Sequence, residues 1–334
     1  MKNKHNQKIL LLCFAALIAA ILANLCLGAS GLSIGEIAAA VLRGDRDSAA
    51  SRIFFYVRLP RTLAAMLAGS ALAAAGLLLQ KVLRNPLASP GVIGINSGAG
   101  LCALIVMAFL PECAGLTPLA AFAGALLTTL GVYLLARLTG ASRTTLVLAG
   151  GAVNSLLGAA MDAIVTLIPD AAVSRSAFAI GGFANVTMQQ LSFALPFWAA
   201  GLLIAMLFQR QLQLMTLGDD VAASLGLPVD RFRAVFLIAA AMLAGAAVSF
   251  AGLLGFVGLI TPHMTGLLCR SDAKLQTPIT AVLGAALCLI CDLAARTLFA
   301  PYELPVGVVL SFLGAPFFLW LLIRRKRSAA HDSV

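Results

Sequence analysis

Long apolar runs recur along the whole chain and are separated by charged stretches or by stretches rich in proline and glycine. A helix of about 20 apolar residues crosses roughly 30 Å of hydrocarbon. The runs therefore predict an all-α polytopic membrane protein that forms a single transmembrane domain over residues 1–334. The ten predicted spans lie near residues 9–28, 60–82, 92–110, 117–136, 145–168, 191–209, 233–253, 256–269, 276–298 and 304–323.

Composition agrees with this pattern, because 61% of the 334 residues are hydrophobic and only 11% are charged. Both values lie far outside the range of a soluble globular domain. The first apolar run follows three lysines, as it would in a signal peptide, but it is long for a signal core and we interpret it as the first span. The net charge of +10 does not indicate nucleic acid, since the chain has no basic, aromatic-rich soluble module.

The basic residues are distributed unequally between the two sides that the ten spans define. Sixteen of the 23 lie on the side of the two termini, and seven lie on the opposite side. Cytoplasmic loops of membrane proteins carry the excess of lysine and arginine. We therefore expect both termini, and the loop between spans 6 and 7, to be cytoplasmic.

An internal repeat joins spans 2 and 7. Residues 66–86 (MLAGSALAAAGLLLQKVLRNP) match residues 242–262 (MLAGAAVSFAGLLGFVGLITP) at 11 of 21 positions without a gap. The span count orients the two copies oppositely, which is typical of inverted-repeat transport folds. The alternative is that membrane helices rich in alanine and glycine look alike. Ala65, Gly69 and Ala73 share one helix face, which favours close contact with another helix.

The motifs of common enzymes are missing from the sequence. It has no GxxxxGK[ST] phosphate loop, so ATP and magnesium would have to be bound by a separate chain. It also has no HExxH or GxSxG motif, and we predict no catalytic residue, metal site or cofactor. The pair Cys288 and Cys291 has no partner pair, so we interpret all seven cysteines as small apolar residues.

Ionisable residues inside spans are costly and suggest function. Asp162 follows Asn154 by eight residues, so both could line a polar pathway, although Asp162 could equally lie near the outer interface. Asp292 precedes Arg296 by one helical turn, which favours a structural ion pair. His263 follows a proline that we expect to break its helix, and a packing or hinge role is the simplest interpretation.

The stretch MTLGDDVAASLGLPVDRFR, residues 215–233, interrupts the apolar pattern. Asp219 and Asp220 suit the first turn of a helix, and Gly226 suits the position after its end. Pro228 can occupy the first turn of a second short helix. We predict a rigid cytoplasmic segment of two short helices that docks into another protein; the alternative is a helix that lies on the membrane.

Five sequence blocks follow one another along the chain: RLPRTLAAMLAGSALAAAGLLLQ from Arg58, RNPLASPGVIGINSGAG from Arg84, LGDDVAASLGLP from Leu217, GFVGLITPH from Gly255, and DLAARTLFAPYELPVGVVLSFLGAPFFLWLL from Asp292. In this order they resemble the FecCD-type permeases, the membrane subunits of ABC importers for iron-siderophores, haem and cobalamin. The resemblance covers essentially the whole chain. It implies a bacterial inner-membrane permease that pairs with a second permease subunit, identical or related, and with two cytoplasmic ABC ATPase subunits.

The resemblance also implies roles for particular residues. Three external arginines would meet an extracytoplasmic substrate-binding protein: Arg58, Arg61 and Arg296. The ATPase would contact the coupling helices at Gly218, Asp219, Asp220, Ser224, Leu225, Gly226, Leu227, Pro228 and Arg231. A cytoplasmic constriction would lie near Asn85, Leu87, Thr144 and Thr145.

Two functions fit the sequence. The first is a permease that takes up a ferric siderophore, or haem or cobalamin, with energy from a partner ATPase. The second is a secondary transporter driven by protons or sodium, for which the repeat and Asp162 are equally suitable. A secondary transporter does not need the docking segment.

Overall fold

The structure is a computed structural model that describes residues 2–27, 35, 48–138, 143–268 and 273–331. These residues form helices and turns without any strand. Counting Ala49–Val82 as one continuous rod gives these helices: α1 Lys2–Cys26, α2 Ala49–Val82, α3 Ile95–Phe109, α4 Thr117–Leu138, α5 Arg143–Leu167, α6 Ala171–Ile180, α7 Met188–Leu207, α8 Gln209–Thr216, α9 Asp219–Ser224, α10 Val229–Ala251, α11 Val257–Leu268, α12 Ala273–Thr297 and α13 Val306–His331.

Each of the ten predicted spans corresponds to one helix. Seven are long and apolar enough to cross a membrane, namely α1, α2, α4, α5, α7, α10 and α12. The helices α3, α11 and α13 contain shorter apolar stretches. Helix α6, with only ten residues, was not predicted. The predicted span ends at 28 and 269, and the cysteine at 269, lie outside the described residues.

Helix α2 is the centre of the fold, and it packs against α10, α12, α11 and α7. In its membrane-crossing window 89% of the residues are buried, compared with 6% in α5. Small residues allow this close packing: Gly69 faces Gly284 of α12, whose backbone also lies against Ala73. The predicted small-residue face of α2 is therefore a helix contact.

The two repeat copies differ in local structure. The first copy is helical through Gly76, whereas the second leaves the helix after Ala251, and Gly252 has a φ of +67°. The backbone groups freed there are satisfied by the end of α6 and the loop after it, because Gly182 N donates to Ala251 O at 2.8 Å and Leu253 N donates to Phe178 O at 2.9 Å. Broken helices are tolerated at membrane depth only where protein replaces the lost bonds. Tertiary contacts therefore permit the break.

The prediction that the proline before His263 breaks its helix is wrong. Pro262 lies inside α11, which continues to Leu268. A proline leaves the carbonyl four residues earlier without its helical donor. That carbonyl, Gly258 O, accepts a hydrogen bond of 2.9 Å from Gln80 Nε2 on α2. The His263 ring packs edge-on against Phe317, in agreement with a packing role.

Candidate coupling, docking and pathway sites

Two short helices, α8 and α9, connect α7 to α10. Asp219 and Asp220 form the first turn of α9, as predicted. Gly226 follows its end with a φ of +83°, and two bonds close the helix, from Gly226 N to Ala223 O and from Leu227 N to Ala222 O. This pair of bonds is a Schellman motif, which needs a left-handed residue at the glycine position. The segment therefore has a defined end.

The position of the second short helix is a correction. Pro228 is the N-cap of α10, so the residues after it begin a spanning helix and not a separate short one. The other short helix lies upstream, as α8 at Gln209–Thr216. The prediction placed the start of span 7 where the apolar run begins, at 233. A helix can continue beyond the hydrocarbon through polar residues, and α10 does so from Val229.

The two faces of this segment have different surroundings. Arg233 is 3% exposed and its guanidinium donates to Asp219 Oδ2 at 2.8 Å and to Asp230 Oδ1 at 3.0 Å. Leu227 is buried, whereas Val221 and Leu225, one helical turn apart, are exposed. Asp219 and Leu227 therefore fix the segment to its own chain, and the apolar face of α9 remains available for a partner.

The other five residues predicted to contact the ATPase also include both buried and exposed positions. Gly218 is buried, with a φ of +122°. The other four are exposed at the surface: Asp220, Ser224, Pro228 and Arg231.

The three arginines predicted to be external are buried within the chain. Arg58 is 3% exposed and donates to Leu25 O and Cys26 O, both at 2.8 Å. Arg296 donates to Asn24 O and Asn24 Oδ1, also at 2.8 Å. These carbonyls belong to the last turn of α1, where helix carbonyls lack helical donors. Both arginines therefore attach the end of α1 to the rest of the fold.

Arg61 forms the centre of an ionic network. Its Nε lies 3.0 and 3.1 Å from the two oxygens of Asp292, and its Nη1 lies 2.6 Å from Glu303 Oε2. Asp292 is fully buried, while the Glu303 side chain is 39% exposed. Arg296 Nε approaches Asp292 Oδ2 at 3.6 Å, so the predicted local pair exists but is longer than a hydrogen bond.

The predicted pathway residues lie at two separate places. Asn154 Nδ2 donates to Gly91 O at 2.7 Å and so connects α5 to the turn after α2. In that turn Asn85 Oδ1 accepts from Leu87 N at 3.0 Å. Asp162 is exposed and pairs with Arg175 of α6 at 2.6 Å. The structure therefore does not bring Asn154 and Asp162 together.

The two threonines of the predicted constriction begin α5, where Thr144 is exposed and Thr145 is partly buried. Two cavities not indicated by the sequence lie elsewhere. One, of about 730 Å³, is lined by Asn96, Ile180, Leu253, Ser311 and Phe312. The other, of about 580 Å³, has Arg61 and Glu303 in its wall together with Asn185, Gln190 and Ser249. Both walls combine residues of distant segments, so no local motif marks them.

Metal ligands are not gathered anywhere in the part of the chain that the structure describes. No group of three or more His, Cys, Asp or Glu side chains could hold an ion there. Cys288 and Cys291 are buried on α12 as free thiols.

Seven helices long and apolar enough to cross a membrane, together with the short helices α8 and α9, are typical of a multi-pass, all-helical membrane transport protein. The chain matches the model of the FecCD transport family over residues 16–324 and belongs to this family. It is 36% identical to the hemin transport system permease protein HmuU of Yersinia pestis over 331 residues, which cover 97% of this chain and 98% of HmuU.

Other similarities agree. The chain is 36% identical to the iron(3+)-hydroxamate import system permease protein FhuB of Bacillus subtilis, over 95% of this chain and 82% of FhuB. Among solved structures, an inward-facing ABC transporter assigned to the metal-chelate type has a TM-score of 0.83 and 27% identity. The match covers 95% of this chain and 99% of that one.

Proposed function

We propose that this protein is the membrane-spanning permease subunit of an ATP-binding-cassette importer that takes up an iron chelate across a bacterial inner membrane. The ferric siderophore is the first candidate substrate, with haem and cobalamin next. The observation that carries the proposal is the near full-length similarity to permeases named for hemin and iron-hydroxamate import.

In this proposal a second permease subunit completes the pathway and an extracytoplasmic binding protein delivers the chelate. Two ATPase subunits bind ATP and magnesium, contact α8 and α9, and transmit their conformational change to the permease there. The exposed apolar pair Val221 and Leu225 supports docking of the ATPase on this face, since removal of apolar surface from water favours association. Asp219 contributes indirectly, by holding Arg233.

The Leu225→Asp variant tests the docking face. Its side chain is 58% exposed, so the permease should fold normally but lose the ATPase during purification of the complex. Leu138→Asp is a matched control, because Leu138 is 83% exposed at the end of α4, on the same predicted side but not part of α8 or α9. Equal loss of the ATPase in both variants, or in neither, would argue against this docking face.

Reconstitution tests the transport function. Proteoliposomes containing the complex, with the binding protein added, should show ATPase activity stimulated by one of four probes: a ferric hydroxamate siderophore, ferric citrate, haem or cobalamin. ATP should be required for uptake of that probe. Uptake without ATPase subunits that collapses with the proton gradient would select a secondary transporter. No observation favours that second function, since Asp162 is exposed and paired with Arg175.

A further inference from the structure

A third cavity, of about 350 Å³, lies at the end of α2 beside α8 and α9, which together are called the coupling segment below. Four helices contribute to its wall: α2, the end of α8, α11 and α12. Its polar lining consists of Gln80, Lys81, Arg84, Thr216, Thr265 and Gln276. None of the roles proposed above uses this cavity.

Two cationic side chains face this cavity, and no described carboxylate lines it. Lys81 Nζ donates to the neutral oxygen Gln276 Oε1. Within the described ranges, neither Lys81 nor Arg84 forms an ion pair. Two positive charges that line one concave site without a carboxylate give it a positive potential, which attracts an anion. The cavity therefore has the charge of an anion site.

The backbone at Arg84 provides an independent observation. Two bonds end α2, from Arg84 N to Lys81 O and from Asn85 N to Gln80 O, which is the same Schellman pattern that ends α9. Arg84 occupies the left-handed position with a φ of +49°, where glycine is usual. This conformation costs an L-residue about 1–2 kcal/mol of conformational free energy. Strained residues of this kind cluster at ligand sites, where the surrounding structure maintains them.

The position of the Arg84 guanidinium connects this cavity to the coupling segment. A Cβ atom added at Gly218 would lie 3.3 Å from Arg84 Nη1, so the guanidinium lies directly over the turn between α8 and α9. Lys81 reaches α12 through Gln276. An anion held by both cations would therefore join the ends of α2 and α12 to the coupling segment.

We propose that this cavity binds a phosphate group. A phosphate offers several oxygens, so it can accept a bidentate pair of bonds from Arg84 and a further bond from Lys81. The phosphate belongs either to the headgroup of an anionic phospholipid, since Lys81 is the penultimate residue of its spanning helix, or to a free phosphate. The proposal holds for any transported substrate, because no residue of the proposed pathway takes part.

The test uses the full-length permease in detergent and two probes. Phosphatidylglycerol retention is measured by native mass spectrometry against phosphatidylcholine, and inorganic phosphate binding is measured by calorimetry at constant ionic strength. The variants are Lys81→Gln and Arg84→Asn, since asparagine tolerates a positive φ. Arg210→Gln is the matched control, because Arg210 is exposed on α8 and does not line the cavity.

Each cavity variant should lose about tenfold in affinity, and the control should bind as the wild type does. Retention of phosphatidylglycerol alone identifies a lipid headgroup, whereas binding of both probes identifies a general phosphate site. Equal binding by the cavity variants and the control would overturn the proposal. Failure of both probes to bind would also overturn the proposal. Loss of the ATPase subunit from the double variant Lys81→Gln, Arg84→Asn would then assign the cavity to a carboxylate of that partner.

Discussion

Replacing Arg61 distinguishes a structural role of the buried network from a docking role. Asp292 is 0% exposed, and in Arg61→Gln it loses both bonds from Arg61 Nε and the contact of Nη2 with Oδ1 at 3.0 Å. Arg296 Nε, at 3.6 Å, is too far away to replace them. Removing one partner of a buried ion pair costs about 3–5 kcal/mol, because the other charge stays buried.

Glu303→Gln is the control for this experiment. It removes the other ionic partner of Arg61, but the Glu303 side chain is 39% exposed and water screens the pair. The expected cost is about 0–1 kcal/mol. The two variants should thus differ by several kcal/mol, because Arg61→Gln leaves the buried Asp292 without its guanidinium partner, whereas Glu303→Gln leaves the pair of Arg61 and Asp292 intact.

The measurement is the free energy of unfolding in mixed micelles titrated with SDS. The double variant Arg61→Gln, Asp292→Asn should recover part of the loss, since the carboxylate left unpaired by the single variant is then neutral, and Arg296 keeps its hydrogen bonds to Asn24. Affinity for the binding protein is measured in parallel by surface plasmon resonance. Wild-type stability of Arg61→Gln together with lost affinity for the binding protein would refute the structural reasoning and support docking.

Three further predictions concern packing and charge elsewhere. Gly76→Ala should destabilise the protein by about 1–3 kcal/mol in the same titration, because its Cβ would overlap Gly258 O. Gly131→Ala has open space at its Cβ and should be neutral or stabilising. Equal effects of the two variants would contradict the close contact of α2 with α11. Arg233→Gln should increase the rate of amide hydrogen exchange in the coupling segment at least tenfold. An unchanged rate would show that the ion pairs of Arg233 do not order this segment. Asp162→Asn should change stability by less than about 1 kcal/mol, since its ion pair is exposed, and a larger loss would contradict this placement.

Much of the fold was predictable from local pattern. All ten apolar runs are helices, and the glycine after α9 has the positive φ that its position implied. These features depend on the length of apolar runs and on helix-end rules within a few residues. The short helix α6 was missed because ten residues produce no spanning signal, and the misplaced short helix shows that an apolar run marks the membrane part of a helix and not its start.

The candidate sites were less predictable. The sequence singled out Arg58, Arg61 and Arg296 but not what they contact, and their partners come from segments far along the chain. Asp162 was recognised as unusual inside an apolar run, yet its pairing with Arg175 depends on how α6 folds back beside α5. Periodicity within one helix contains no information on such neighbours.

The sequence by itself determined which long apolar segments are helical, because burial of backbone polar groups in hydrocarbon permits few alternatives. Tertiary structure decided which faces are buried, because lipid and protein interior are equally apolar and the pattern cannot distinguish them. It also decided the difference between the repeat copies. At Gly76 the chain remains helical, whereas at Gly252 it leaves the helix, because the end of α6 and the loop after it accept and donate the hydrogen bonds that the helix loses.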